Sequence, residues 1–338
     1  MEKNCQKALI LVTYLSFFLA ITLQFPDTYL SYRTTFNESY VEKSSEAIKT
    51  VINFKKNLEK QNQMTTSQKI PSAHYGVTKF SDLSPTEFRD LYLKDLFSLP
   101  ILGARPNSTV TPYSRLKSLN IPDKVDWRNY DNQSIISPVK NQKKCGACWA
   151  FSAVETVESM YAKLTGEPPL DLSVQQVIDC ASNNNGCDGG DTCRALDWMK
   201  TARPQMVIDA EYPLTDQSNF CKMQPSEFVG IVVTDFTCNR YVGSEDKMLQ
   251  LLATVGPLTV SVDATTWQNY QGGIIQWHCY NYNNHAVQIV GYDISGEIPY
   301  YIVRNSWGTD YGHDGYLYIK IGNNVCGIAE EVSTVSVQ

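Results

Sequence analysis

The sequence predicts an α+β protein in which a helical half is followed by a β half, and two observations carry that reading. Apolar residues recur at three- and four-residue steps over 46–60, 148–164 and 245–254. Later stretches, 259–262, 285–292, 300–304 and 315–321, are instead short β-rich runs with glycine between them. The chain has 338 residues, 43% apolar and 19% charged, which is enough for two packed lobes and unlike a disordered or coiled-coil chain.

The chain opens with Lys3 and Lys7 ahead of an apolar run from Ala8 to Leu23, closed by Pro26 and Asp27. That run is short for a spanning helix and reads as a secretory signal peptide over 1–23, with an uncleaved anchor as the alternative. In an exported chain the sequons at Asn37, Asn107 and Asn132 are glycosylation candidates.

Residues 24–120 form a separate basic segment. Ala47, Ile48, Val51, Phe54 and Leu58 predict one helix over 46–60. Ser84, Pro85 and Glu87 have the chemistry of N-cap, first helical residue and reciprocal cap, so a second helix should begin there. Residues 98–120 lack periodicity and read as a linker.

The remainder, 121–338, is acidic. It holds 14 Lys and Arg against 25 Asp and Glu, whereas 21–120 holds 13 against 9. The whole chain is at −6, which argues against nucleic acid as a partner. Nine of the ten cysteines lie beyond residue 144, a distribution typical of exported, disulfide-bonded chains.

Within the acidic body, Ala150, Val154, Val157, Tyr161 and Leu164 predict a helix that Gly166 ends. Cys148 then sits at its N-terminus, where unpaired N–H groups favour a thiolate. Ser173 and Gln176 read as a capping box with Leu172 and Val177 as its staple. A nucleophilic thiolate needs a base, and His285 leads a strand-like run; Asn305 follows another strand and offers an amide to orient an imidazole. Cys145 and Cys148 alone could equally be half a zinc site or a redox pair, but no matching second half follows.

Taken together, Cys145-Gly146-Ala147-Cys148-Trp149, His285 and Asn305, at 137 and 157 residues after Cys148, resemble the papain-like cysteine peptidases. The resemblance covers everything after the signal peptide. It implies a two-lobe fold, with a helical left lobe and an antiparallel, barrel-like right lobe, preceded by a helical propeptide. It implies Cys148 as nucleophile, His285 as acid–base, Asn305 as orienter and Gln142 in the oxyanion hole with the Cys148 N–H. Trp307 would shield the Asn305–His285 bond. Gly189 and Gly190 would pair with the substrate backbone, and Asp191, Thr192, Asn284, Ala286 and Glu331 would complete the substrate-binding wall.

Glu331 would stand at the far end of the pocket for the second residue before the scissile bond and accept basic side chains there; the bland alternative points it to solvent. The resemblance also implies disulfides Cys145–Cys187, Cys180–Cys221 and Cys279–Cys326, leaving Cys193 and Cys238 undecided.

For residues 24–120 it implies an inhibitory propeptide that crosses the cleft in reverse and is cut off near 120–123. Glu46, Phe54 and Asn57 keep the family's interspersed helix pattern, while Thr50, Gln61 and Thr65 depart from it, putting the helix register in question; Gly76, Thr78, Phe80 and Asp82 hold the short motif that follows. The implied partners are peptide or protein substrates, the chain's own propeptide and cystatin-type inhibitors. No cofactor, metal or membrane span is expected of the mature form, a monomer in the lysosome or outside the cell. The alternative from another class is a catalytically silent binding protein on the same fold.

Overall fold

In the computed structural model the described residues are 27–36, 45–66, 73–94, 120–131, 133–222, 230–277, 279–280 and 282–338. The apolar leader, the three sequons and the linker up to 119 lie outside them. Among the described residues no helix is long and apolar enough to cross a membrane.

The basic segment contributes helices α1 (Asp27–Phe36), α2 (Ser45–Thr66) and α3 (Pro85–Tyr92) and strand β1 (Ala73–Tyr75). α2 runs past the expected 46–60, because Gln61 and Met64 continue its buried face. Two of the three positions that departed from the family pattern, Thr50 and Gln61, lie on the buried face, whereas Thr65 is exposed. Thr50 is buried and its hydroxyl meets the Tyr29 hydroxyl at 2.7 Å; Gln61 is buried too. Tyr29, Tyr32, Val51 and Phe54 form a small core of their own. α3 begins as its sequence demands: Ser84 Oγ accepts the Glu87 N–H at 3.2 Å, and Glu87 Oε2 accepts the Ser84 N–H at 2.8 Å.

The body starts with β2 (Lys124–Asp126), then α4 (Cys148–Thr165), α5 (Val174–Cys180), α6 (Thr192–Ala202), β3 (Val233–Phe236) and α7 (Glu245–Thr254). It ends in strands β4 (Leu258–Val262), β5 (Tyr270–Ile275), β6 (His285–Asp293), β7 (Tyr300–Arg304), β8 (Tyr316–Lys320), β9 (Val332–Ser333) and β10 (Val335–Val337). The main sheet runs β1-β5-β8-β7-β6-β4-β9, with β2 on β6; β5 and β8 pair in parallel and the other pairs are antiparallel. β10 returns to the helical half and pairs with β3. The mixed, two-lobe α+β architecture expected from the sequence is therefore present.

Two of the local expectations need correction. α4 is not a one-sided amphipathic helix. Its first three turns are buried almost all round, polar Glu155 and Glu158 included, whereas Leu164 is 62% exposed. A helix clamped between two lobes has no solvent face until its last turn. At α5, Ser173 Oγ accepts the Gln176 N–H, but Gln176 spends its amide on the 205–207 segment and the Ser173 N–H donates to Val207.

The lobes have separate cores. One surrounds α4, α5 and α6 and takes in Val335; the other fills the sheet side. Phe80, Phe88 and Leu93 of the basic segment belong to the second core, so this segment is built into the sheet lobe. β1 pairs with the β5 edge, Ala73 opposite Gly273. The body begins just after the linker: the Tyr292 hydroxyl donates to the Pro122 carbonyl at 2.8 Å, and β2 pairs with β6.

Candidate active site

The lobes meet along a cleft, with α4 on one side and the start of β6 on the other. Cys148 is the first residue of α4 because the Cys145–Cys187 disulfide and the tight chain at Gly146 end the preceding loop there. It is fully buried, and it is the free cysteine among the described residues. His285 is the first residue of β6, also fully buried. Cys148 packs against Ala286, whose backbone N–H points at the sulfur.

The imidazole is fixed on three sides. His285 Nε2–H donates to Asn305 Oδ1 at 2.8 Å, and Ser306 N–H donates to the same oxygen at 2.9 Å. Trp307 stacks on the ring with centroids 4.8 Å apart, and Trp267 meets it edge-on at 6.1 Å. Nδ1 is buried without a hydrogen-bond partner. It is thus the ring nitrogen left to exchange a proton.

Gln142 is fully buried across the cleft. Its Oε1 accepts the Ser306 hydroxyl at 2.6 Å, which turns Nε2 towards the Cys145 carbonyl at 3.1 Å and the Tyr92 carbonyl at 3.3 Å. Sequence reasoning missed Ser306, although its place between Asn305 and Trp307 was the available signal: one short loop orients both the imidazole and the amide.

On the helical side, Gly190 lies against the Trp149 ring, where an added Cβ would come within 2.7 Å. Gly189 accepts the Asn185 N–H at 2.9 Å. Asp191 is buried and caps α6 through the Arg194 N–H; its Oδ2 is buried without a partner. Thr192 donates its hydroxyl to Glu331 Oε1 at 2.8 Å, which ties the half-buried Glu331 to that side. Burial, then the neighbouring Asp191, pushes the Glu331 carboxyl up to about 7 despite that hydrogen bond.

Residues 79–94 of the basic segment pack over one end of the cleft. Phe80, Phe88 and Tyr92 pack edge-on around Trp307. Lys79 bonds the Trp307 carbonyl and pairs with Asp310 at 2.7 Å. The Lys94 N–H donates to the Asn284 carbonyl at 3.0 Å, and its aliphatic stem covers Gly146, leaving no room for a side chain there. Asn284 itself is held by Thr265 and Ala264.

Burial dominates the electrostatics of the pair. Burial pushes the Cys148 thiol up to about 11, against backbone N–H groups of Ala286, Trp149 and Cys148 itself. Burial also pushes His285 down to about 4, with the Asn305 bond opposing. In this buried setting desolvation opposes the charged form of both groups, the thiolate of Cys148 and the imidazolium of His285.

Four disulfides join the body: Cys145–Cys187, Cys180–Cys221, Cys279–Cys326 and Cys193–Cys238, the last being the pair the sequence left open. The Cys193–Cys238 bridge lies beside Glu331.

Residues 121–336 match the family described as Papain family cysteine protease. The chain is 45% identical over 267 residues to cathepsin O of Homo sapiens, covering 79% of this chain and 80% of that one. Among solved structures, digestive procathepsin L2 proteinase from the larval midgut of Tenebrio molitor is similar at a TM-score of 0.78 and 30% identity, covering 92% of this chain and 99% of that one. A recombinant stem bromelain precursor is similar at 0.77 and 28% identity, covering 91% and 97%. With matches that span both the covering segment and the cleft, the chain belongs to the papain family of cysteine proteases, as a cysteine endopeptidase in zymogen form.

Proposed function

We propose that Cys148, His285 and Asn305 are the working groups of this peptidase. The observation that carries the proposal is the division of labour on one ring: Nε2 is tied to Asn305, while Nδ1 lies buried and unpartnered beside the segment that touches Cys148. Once the cover leaves, water and the α4 N-terminus favour transfer of the thiol proton to Nδ1. The sulfur attacks the scissile carbonyl, and the oxyanion takes hydrogen bonds from Gln142 Nε2 and the Cys148 N–H. His285 passes the proton to the leaving amine, then takes one from the water that cleaves the thioester.

The tests pair two variants. Cys148→Ser should abolish peptide hydrolysis and labelling by the epoxide E64, while His285→Ala should abolish hydrolysis in a protein that still folds. A catalytically silent binding protein would show neither labelling nor hydrolysis in the wild type.

Residues 24–120 serve as the inhibitor. Tyr92 presents a carbonyl to Gln142 and Lys94 pairs with Asn284, so the cleft's peptide-binding groups are occupied, and the desolvated pair stays uncharged. The segments are 1–23 leader, 24–120 propeptide and 121–338 peptidase, with removal near 120–123. Four disulfides suit an oxidising compartment, which supports a lysosomal or extracellular destination. Gly189 and Gly190 meet the substrate backbone, and Asp191, Thr192, Ala286 and Glu331 line the pocket for the second residue before the bond.

A further inference from the structure

Two large aromatic side chains stand in solvent beside the cleft. Tyr280 is 75% exposed and Tyr282 60%, although most other aromatics of this lobe are buried. They are not on slack chain. The buried Asp263 carboxylate accepts the backbone N–H of Tyr280 at 2.5 Å and of Tyr282 at 3.4 Å. Directly after them, Asn283 donates to the Ser261 hydroxyl at 2.6 Å, and the Cys279–Cys326 bridge anchors the loop from the other side. The rings are displayed by a supported frame.

With Thr265 and Asn284, the two tyrosines form one wall of a cavity of about 670 Å³; Arg89, Asp90, Leu93 and Lys94 of the propeptide form the other. The wall is continuous with the candidate catalytic cleft, since Asn284 immediately precedes His285 and its carbonyl pairs with Lys94. Lys94 lies over Gly146, whose N–H bonds the Cys187 carbonyl on the way to Gly189 and Gly190. Residues 89–93 therefore lead away from those glycines, along the tyrosine wall. A length of this chain already faces the tyrosine wall across that cavity, on the side opposite the proposed acyl half of a substrate.

We propose that, after the propeptide leaves, Tyr280 and Tyr282 hold the leaving-group side of a peptide substrate by laying a large apolar or aromatic side chain across their rings. This rests on the peptidase reading above. Among the described residues no carboxylate lines the body's side of the groove, so size and apolar surface, not charge, set the preference. Two rigid phenol rings give that surface at little cost in rotamer freedom.

The test uses the full chain after its own acid processing, with active sites counted by E64. Two quenched-fluorescence peptides are compared, identical up to the scissile bond and carrying Phe-Phe or Gly-Gly after it. The wild type should prefer Phe-Phe by about five- to tenfold in kcat/KM per active site, the scale of one or two aromatic contacts. In Tyr280→Ala/Tyr282→Ala that ratio should fall to about one or two, and each single variant should lie between. If the double variant yields no E64-countable sites, the single variants and Tyr280→Leu/Tyr282→Leu decide by the same ratio. An equal ratio in wild type and variants, or no preference in the wild type, overturns the groove. Absence of E64 labelling and of cleavage of either peptide overturns instead the reading on which it rests.

Discussion

The backbone N–H of Lys94 donates to the carbonyl of Asn284 at 3.0 Å, one residue before His285. The stem of the same Lys94 fills the space over Gly146. On the proposed reading, inhibition and substrate recognition use the same atoms.

Phe80 is the hub of the propeptide's hold. It packs on Phe88, Tyr92, Trp307 and Tyr311 and is 1% exposed. Phe80→Ala should cost roughly 3–5 kcal/mol of packing. The zymogen should then show E64 labelling without processing, which the wild-type zymogen resists; equal resistance in both would remove Phe80 from this role.

Gln142 and Ser306 should behave as a pair. Gln142→Ala should lower kcat by about 10²–10³, as expected for an oxyanion donor. Ser306→Ala frees the Gln142 amide to rotate and should lower kcat by a smaller factor with KM little changed. Additive losses in the double variant would show that Ser306 acts by some route other than Gln142.

Acid should loosen the propeptide late. For Glu87, burial raises the carboxyl, but Lys49 and Ser84 together outweigh it and pull it down to about 2. A carboxyl depressed from its ordinary 4.5 stabilises fully above about 4.5 and loses that contribution as pH falls towards 2. The Lys49–Glu87 clamp therefore survives mild acid. Glu87→Gln removes it at all pH values, so processing followed by gel between pH 7 and 4 should begin at higher pH than in wild type. Coincident onsets would exclude the clamp.

Glu331 should make the choice of the second residue before the bond depend on pH. With its carboxyl raised to about 7, it is mostly neutral in acid and charged above that value. The kcat/KM ratio of Arg-Arg to Leu-Arg substrates should rise as pH passes through about 7, and Glu331→Gln should flatten the rise. A basic preference strongest near pH 5 would contradict it.

Much of this was legible in the chain. Ser84, Pro85 and Glu87 named the start of α3 because capping is local chemistry, and α7 and β7 matched their predicted spans. The residues around Cys148 and His285 could be found by motif. What failed was what depends on surroundings. Leu164 read as core, yet only the first turns of α4 lie between lobes. β5 was missed because its two glycines dilute the pattern, and its partner β1 comes from nearly 200 residues earlier. Burial of Cys148 pushes its thiol up, an effect of tertiary surroundings that no local pattern encodes.

The most direct measurement is the rate of Cys148 alkylation by iodoacetamide between pH 4 and 9, in the intact zymogen and after processing. The zymogen should react slowly at every pH below about 9, as a buried thiol does, whereas the processed enzyme should react fast from mild acid upward, and His285→Ala should abolish that acid limb. Identical profiles before and after processing, or a processed enzyme titrating like a free thiol near ~8.5, would contradict a thiol made reactive by His285 once it is uncovered.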